Sequence, residues 1–75
     1  MLKSENIHEI IKEIVVGFDT SELKDDQDFI DAGIDSLDHS NILLAIEEKT
    51  NVSIPDEEVD NCSTINGIIK FLNSQ

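Results

Sequence analysis

The stretch Gly33-Ile34-Asp35-Ser36-Leu37-Asp38 fixes where the central helix of this chain begins. Asp35 is a favourable N-cap residue, because its carboxylate can accept hydrogen bonds from the first free backbone N–H groups of a helix. Ser36 then falls in the first turn, with its hydroxyl in water. An anionic group esterified to that hydroxyl would meet free N–H donors and the positive end of the helix dipole. Alone, the stretch favours a plain capped helix in which Ser36 is an ordinary first-turn residue.

The central helix is predicted to run from residue 36 to 49 or 50, and it has two unlike sides. The core side carries Ile42, Leu43, Ala45, Ile46 and Thr50. The opposite side carries Leu37, Ser40, Asn41, Leu44, Glu47 and Glu48. Large apolar side chains flanked by carboxylates are typical of a protein-docking face. The alternative is two ordinary exposed leucines, since much folded surface is apolar.

The other helices follow from spacing and end signals. Ile7, Ile10, Ile11 and Ile14 predict a helix over residues 4–16, with Ser4 as N-cap and Gly17 as its stop. Residues 56–60 offer one short acidic turn, and Ser63 or Thr64 caps a last helix over 65–72. No stretch alternates as a strand does. We therefore predict an all-α fold, a small bundle of three main helices plus one short helix, with a long loop between helices 1 and 2.

That loop, residues 18–35, is rich in acids. Its scattered apolar residues are expected to anchor it across the core: Phe18, Leu23, Phe29, Ile30 and Ile34. The many acidic residues suggest calcium binding by an EF-hand loop. If Gly33 occupies the sixth position of such a loop, however, Ile30 falls at the third position, where an oxygen ligand is required. No specific metal site is predicted.

Composition favours one soluble cytoplasmic domain, residues 1–75, that acts as a monomer. Hydrophobic residues make up 39% of the chain, enough for one small core, and no stretch approaches the length of a membrane span. A single cysteine allows no intrachain disulfide. Seventeen acids against five bases give a net charge of −12, which repels nucleic acid and anionic membranes and favours basic protein partners. The alternative is that the acids only keep the chain soluble.

The chain offers little for catalysis, so no catalytic residue is assigned and we expect no enzyme. Ser36 and His39 are the one nucleophile–base pair close in sequence, without an obvious oxyanion hole. His8 is interpreted as a partly exposed structural histidine, and Cys62 as an inert, partly buried thiol. Gly67 inside the last helix predicts close packing against a neighbour.

Three segments together resemble an acyl carrier protein. They are Asp31-Ala32-Gly33-Ile34-Asp35-Ser36-Leu37-Asp38, then Ala45-Ile46-Glu47-Glu48, then Ile54-Pro55-Asp56-Glu57-Glu58. The resemblance also covers length, acidity, helix order and the long first loop. It implies that Ser36 carries 4′-phosphopantetheine, taken from coenzyme A, whose terminal thiol holds acyl groups as thioesters.

The resemblance also implies partners and a surface for them. The partners are a phosphopantetheinyl transferase (holo-ACP synthase) and the acyl-transferring and condensing enzymes of fatty-acid, polyketide or related lipid biosynthesis, which carry basic docking patches. The residues expected to meet them are Asp35, Leu37, Asp38, Ser40, Asn41, Leu44, Glu47, Glu48 and Asp56. We call these nine residues the docking face.

Four positions depart from the pattern usual in bacterial fatty-acid carriers. Ala32 stands where leucine is usual, Ser40 and Asn41 where valine and glutamate are usual, and Thr50 where a core phenylalanine is common. These departures favour a specialised carrier with a dedicated pathway. A carrier for amino-acyl groups and a non-covalent acidic adaptor with the same fold remain alternatives.

Overall fold

The computed structural model describes residues 2–75, and within them every regular element is helical. Three α-helices, α1 (Ser4–Ile14), α2 (Ser36–Thr50) and α3 (Ile65–Asn73), are joined by loops that contain three short 3-10 turns. The all-α bundle with a long first loop is therefore confirmed. The predicted short helix is instead two consecutive 3-10 turns, Asp56–Glu58 and Asp60–Cys62. We call residues 56–62 the 3-10 segment.

Helix α1 begins and ends differently from the prediction. Lys3 is the N-cap, and its N–H donates to Oδ1 of Asn6 at 2.8 Å. Ser4 is not the cap, because its hydroxyl donates to Asp25 in the loop at 2.7 Å. The last helical residue is Ile14 and not Val16, since the chain turns through Gly17 at a φ of +86°.

The core lies where the three helices meet the first loop. Its fully buried large side chains come from all of these parts: Phe29, Ile7, Ile11, Ile34, Ile42, Ile46, Ile65 and Ile68. Leu23, Phe29 and Ile34 anchor the loop as expected, but Ile30 does not, because half of its surface remains exposed. Ile30 N–H donates to the Asp28 carboxylate at 2.9 Å, in a turn on the outside of the loop.

Asp25 ties the first loop to two helices. Its carboxylate accepts from the Ser4 hydroxyl and lies 3.3 Å from Nε2 of His8 in α1, while its backbone carbonyl accepts from the N–H of Asn66 in α3. His8 is thus the partly exposed structural histidine that was predicted. These contacts hold the first loop against α1 and α3 before the chain enters α2.

The 3-10 segment packs closely against α3, and Gly67 makes this approach possible. A Cβ atom at Gly67 would collide with the backbone carbonyl oxygen of Asn61. Thr64 caps α3 by accepting from the N–H of Gly67 at 2.8 Å. The close packing predicted for Gly67 is confirmed, and its neighbour is the end of the 3-10 segment.

A candidate attachment serine and docking face

The start of α2 is built by local hydrogen bonds. Gly33 turns the chain with a φ of +98°, a conformation that residues with a Cβ rarely adopt. Asp35 is the N-cap, as predicted, and its Oδ1 accepts from the N–H of Asp38 at 2.8 Å. The N–H groups of Ser36 and Leu37 precede the helix's own hydrogen-bond ladder and remain available to an anion. The Ser36 hydroxyl is exposed beside them.

The residues expected on the docking face lie on the outside of the molecule. Leu37 is 70% exposed and Leu44 is 52% exposed. Asp35, Ser40, Asn41, Glu48 and Asp56 are exposed, whereas Asp38 and Glu47 are half-buried. Both leucines are therefore exposed on α2, among carboxylates. The residues that α2 buries in the core lie on its other side.

A groove separates α2 from the 3-10 segment. It has a volume of about 270 Å³ and is lined by Ser40, Asn41, Leu43, Leu44, Glu47, Ile54, Asp56 and Val59. Five of these residues belong to the docking face, so the face is concave on the side of the 3-10 segment. We call this groove the 3-10 groove.

Besides the Thr50 hydroxyl, which accepts from the N–H of Val52 at the end of α2, two side chains of this helix hydrogen-bond to the chain that follows it. At one end, Nε2 of His39 lies 3.0 Å from the carbonyl oxygen of Cys62, and the His39 ring packs edge-on against Phe29 with centroids 5.4 Å apart. At the other end, a Glu47 carboxylate oxygen accepts from the N–H of Ile54 at 2.6 Å. We call these two contacts the tethers. Glu47 is thus a structural residue as well as a member of the docking face.

The tether made by His39 also concerns the nucleophile–base pair that His39 could form with Ser36. The His39 ring is only 7% exposed, and its Nε2 donates to the Cys62 carbonyl. Among residues 2–75 no hydrogen bond joins this ring to Ser36, so the contact that the structure shows for His39 is a structural one. The sequence did not indicate either tether, because each joins a side chain to a backbone group of a later segment.

Cys62 lies in the core and takes no part in the docking face. Its side chain is fully buried, and burial, together with the nearby Glu58 carboxylate, raises the pKa of its thiol to about 11. Cys62 is thus buried completely rather than partly, and this burial supports the prediction that its thiol is inert. Among residues 2–75, no cluster of three or more potential ligands is arranged to hold a metal ion.

The exposed Ser36 hydroxyl and the two unpaired N–H groups beside it fit a covalent phosphate ester. The hydroxyl has open solvent around it, and the positive end of α2 favours the negative charge of a phosphodiester. Because Ser36 is exposed, a long flexible group joined there would extend into solvent.

Comparisons with known proteins agree with this geometry. Residues 5–72 match the family model described as a phosphopantetheine attachment site. The chain is 37% identical over 70 residues to an acyl carrier protein of Wolinella succinogenes, an alignment that covers 88% of this chain and 92% of the relative. It is 33% identical over 70 residues to an acyl carrier protein of Clostridium acetobutylicum, covering 88% of this chain and 91% of the relative.

Both the matched model and the relatives extend over nearly the whole bundle, including the start of α2 and the 3-10 segment. No helix among residues 2–75 is long and apolar enough to cross a lipid bilayer. The chain belongs to the acyl carrier protein family, whose members bear a covalently attached 4′-phosphopantetheine group.

Proposed function

We propose that Ser36 is the attachment residue and that this protein presents acyl groups to biosynthetic enzymes. The observation that supports this best is the Ser36 hydroxyl itself, exposed in the first turn of a helix that Asp35 caps. When bound through a phosphodiester, the 4′-phosphopantetheine group supplies the thiol on which acyl groups travel as thioesters. The residues of this chain supply the ester oxygen, the anion-binding helix start and the surface that enzymes recognise.

Asp35 and Asp38 both influence where a phosphate ester on Ser36 would lie. The Asp35 carboxylate occupies the N–H of Asp38 and so leaves the N–H groups of Ser36 and Leu37 for the phosphate. The negative charges of both carboxylates repel the phosphate from the sides of the helix. The attached arm is therefore directed away from α2, where an approaching enzyme can reach it.

The docking face supports short-lived complexes with basic enzymes. Leu37 and Leu44 provide apolar anchors, and the carboxylates around them attract a phosphopantetheinyl transferase and acyl-transferring or condensing enzymes that bear basic patches. Contacts that are mostly electrostatic favour fast association with moderate affinity. A carrier that must visit several enzymes in turn needs both. We infer that residues 1–75 act as one monomeric domain in the cytoplasm, as the composition indicates.

Intact-mass measurement tests the attachment residue. The apo-protein is incubated with coenzyme A and a phosphopantetheinyl transferase, and wild type is expected to gain the mass of one phosphopantetheine group. Ser36→Ala should gain none, whereas Ser40→Ala, which removes an exposed hydroxyl one turn further along α2, should gain as much as wild type. Absence of any gain in wild type with several transferases would favour the non-covalent adaptor.

Ser40 and Asn41 support a specialised pathway. Both are exposed on the docking face and line the 3-10 groove, where the usual valine and glutamate would add an apolar contact and a charge. Each such contact is worth up to about 1 kcal/mol at an interface. The acylated protein is therefore expected to be a poor substrate for general fatty-acid elongation enzymes. Turnover equal to that of a housekeeping carrier would contradict this, and restored turnover in Ser40→Val with Asn41→Glu would support it.

A further inference from the structure

A second groove borders the docking face on the side of α1. It has a volume of about 290 Å³ and is lined by Glu13 and Ile14 from α1 and by Asn41, Leu44, Ala45 and Glu48 from α2. Asn41 and Leu44 also line the 3-10 groove, so they form a ridge between the two depressions. We call the second depression the α1 groove. It extends the candidate docking surface onto α1, which the sequence analysis did not include in that surface.

The α1 groove has an apolar centre and an acidic rim. Ile14 and Ala45 are half-buried against the core, and the half-exposed Leu44 stands over them. Glu13 and Glu48 are exposed, and none of the described residues that line the groove is basic. An apolar side chain flanked by lysine or arginine is the complement of this arrangement, because it fills the centre while its neighbours meet the two carboxylates.

We propose that the α1 groove belongs to the surface that binds the phosphopantetheinyl transferase, and that it receives an apolar side chain between basic residues of that enzyme. This proposal rests on Ser36 being the attachment residue. The transferase must bring its own active site to the Ser36 hydroxyl, so its position on this protein is fixed. Enzymes that act on the far end of the arm are less constrained in where they dock.

The distances agree with such a footprint. Leu44 lies eight residues beyond Ser36, which is about 12 Å along a helix that rises 1.5 Å per residue. A standard protein interface covers about 800 Å² on each partner, equivalent to a disc of roughly 16 Å radius. A transferase centred on Ser36 therefore reaches as far along α2 as Leu44, which lines the α1 groove together with Glu13.

Charge reversal at Glu13 tests the proposal. Initial rates of arm transfer from coenzyme A are measured against the concentration of apo-protein for wild type, Glu13→Lys, Glu13→Gln and Glu5→Lys. Glu5 is the matched control, because it is exposed on the same helix and its reversal changes the net charge equally, yet it lines neither groove. Circular dichroism spectra and melting temperatures establish that each variant is folded.

Glu13→Lys is expected to raise KM for the apo-protein about three- to tenfold with kcat within twofold of wild type, because one exposed charge contact is lost and replaced by repulsion. Glu13→Gln should give a smaller rise in the same direction, and Glu5→Lys less than twofold. An unchanged KM in Glu13→Lys overturns the proposal, as does an equal rise in Glu5→Lys, which would reveal only the long-range field. Failure of wild type to accept the arm would instead refute the role of Ser36.

Discussion

Ser36 and Cys62 occupy opposite environments. Ser36 is exposed at the start of α2, so the thiol of an arm attached there, as proposed, lies outside the core. Cys62 is fully buried, and the pKa of its thiol is raised to about 11 by burial and by Glu58. The thiolate is the reactive form of cysteine, so Cys62 stays unreactive at neutral pH. The protein's own cysteine therefore does not compete for acyl groups.

A thiol reagent distinguishes the two groups. At pH 8 the folded apo-protein is expected to show no reactive thiol, and the protein carrying the arm to show one, whereas both gain one more on unfolding in denaturant. A Cys62→Ala variant should lose only the thiol that appears on unfolding. Rapid modification of Cys62 in the folded apo-protein would contradict the burial of its side chain.

The raised pKa of the Cys62 thiol also predicts how the free energy of unfolding changes at alkaline pH. The thiol of the unfolded chain ionises near its ordinary pKa of 9.0 and that of the folded chain at about 11. Between these values the folded state keeps a proton that the unfolded state has lost, so the free energy of unfolding falls as pH rises through this interval. Denaturant titrations from pH 8 to 11 should show a steeper fall for wild type than for Cys62→Ala. Parallel profiles would contradict the raised pKa.

At the scale of elements, the contact between α3 and the 3-10 segment depends on Gly67. Alanine normally stabilises a helix interior by roughly 1 kcal/mol relative to glycine. Here the added Cβ would meet the carbonyl oxygen of Asn61, a backbone atom that cannot move without shifting the 3-10 segment. The cost of such overpacking, typically about 1–3 kcal/mol, exceeds the gain in helix propensity.

Gly67→Ala is therefore expected to lower the free energy of unfolding by about 1–2 kcal/mol, measured by denaturant titration. Asn66→Ala is the control, because residue 66 is the exposed neighbour in α3 and its contact with Asp25 uses the backbone N–H. That variant should change stability by less than about 0.5 kcal/mol. A stabilised Gly67→Ala would show that the 3-10 segment yields easily.

The elements also show what the sequence can predict and what it cannot. The start of α2 was predicted to the residue, because Asp35 caps it through a contact three residues away. The N-cap of α1 was wrong, because the Ser4 hydroxyl finds a partner 21 residues away. The prediction that Ile30 is buried was wrong, because an irregular loop has no repeating pattern from which buried and exposed positions can be distinguished. The docking face was implied by the resemblance to carrier proteins, and helical spacing supported only its residues on α2, whereas the α1 groove and the tethers depend on how separate segments pack.

The whole molecule is dominated by one sign of charge. With a net charge of −12 on 75 residues, repulsion among carboxylates opposes the compact state, and dissolved ions screen it. The described part of the chain has one close contact between groups of opposite charge type, His8 with Asp25, so internal pairing offsets little of this repulsion. In the docking proposed above, the same field would attract basic enzymes, so the property that favours docking would also weaken the fold.

The melting temperature is therefore expected to rise with sodium chloride from low to physiological ionic strength, and to rise further with magnesium or calcium. Asp26→Asn, which removes one exposed charge from the acidic loop, should raise the melting temperature at low salt and reduce its dependence on salt. A melting temperature that stays flat across ionic strength would contradict the role assigned to self-repulsion.

The tethers determine how the stretch that follows α2 is held against that helix. Between Asn51 and Ser63 the chain has no α-helix, and beyond the contacts of Asn51 and Val52 at the end of α2, the hydrogen bonds that the structure shows between this stretch and the helix are the two tethers. Separating this stretch from α2 would cost the tethers, the burial of Ile54 and Cys62, and the packing of the 3-10 segment against α3. The same stretch forms a wall of the 3-10 groove beside the helix that contains Ser36, so the tethers help to set the width of that groove.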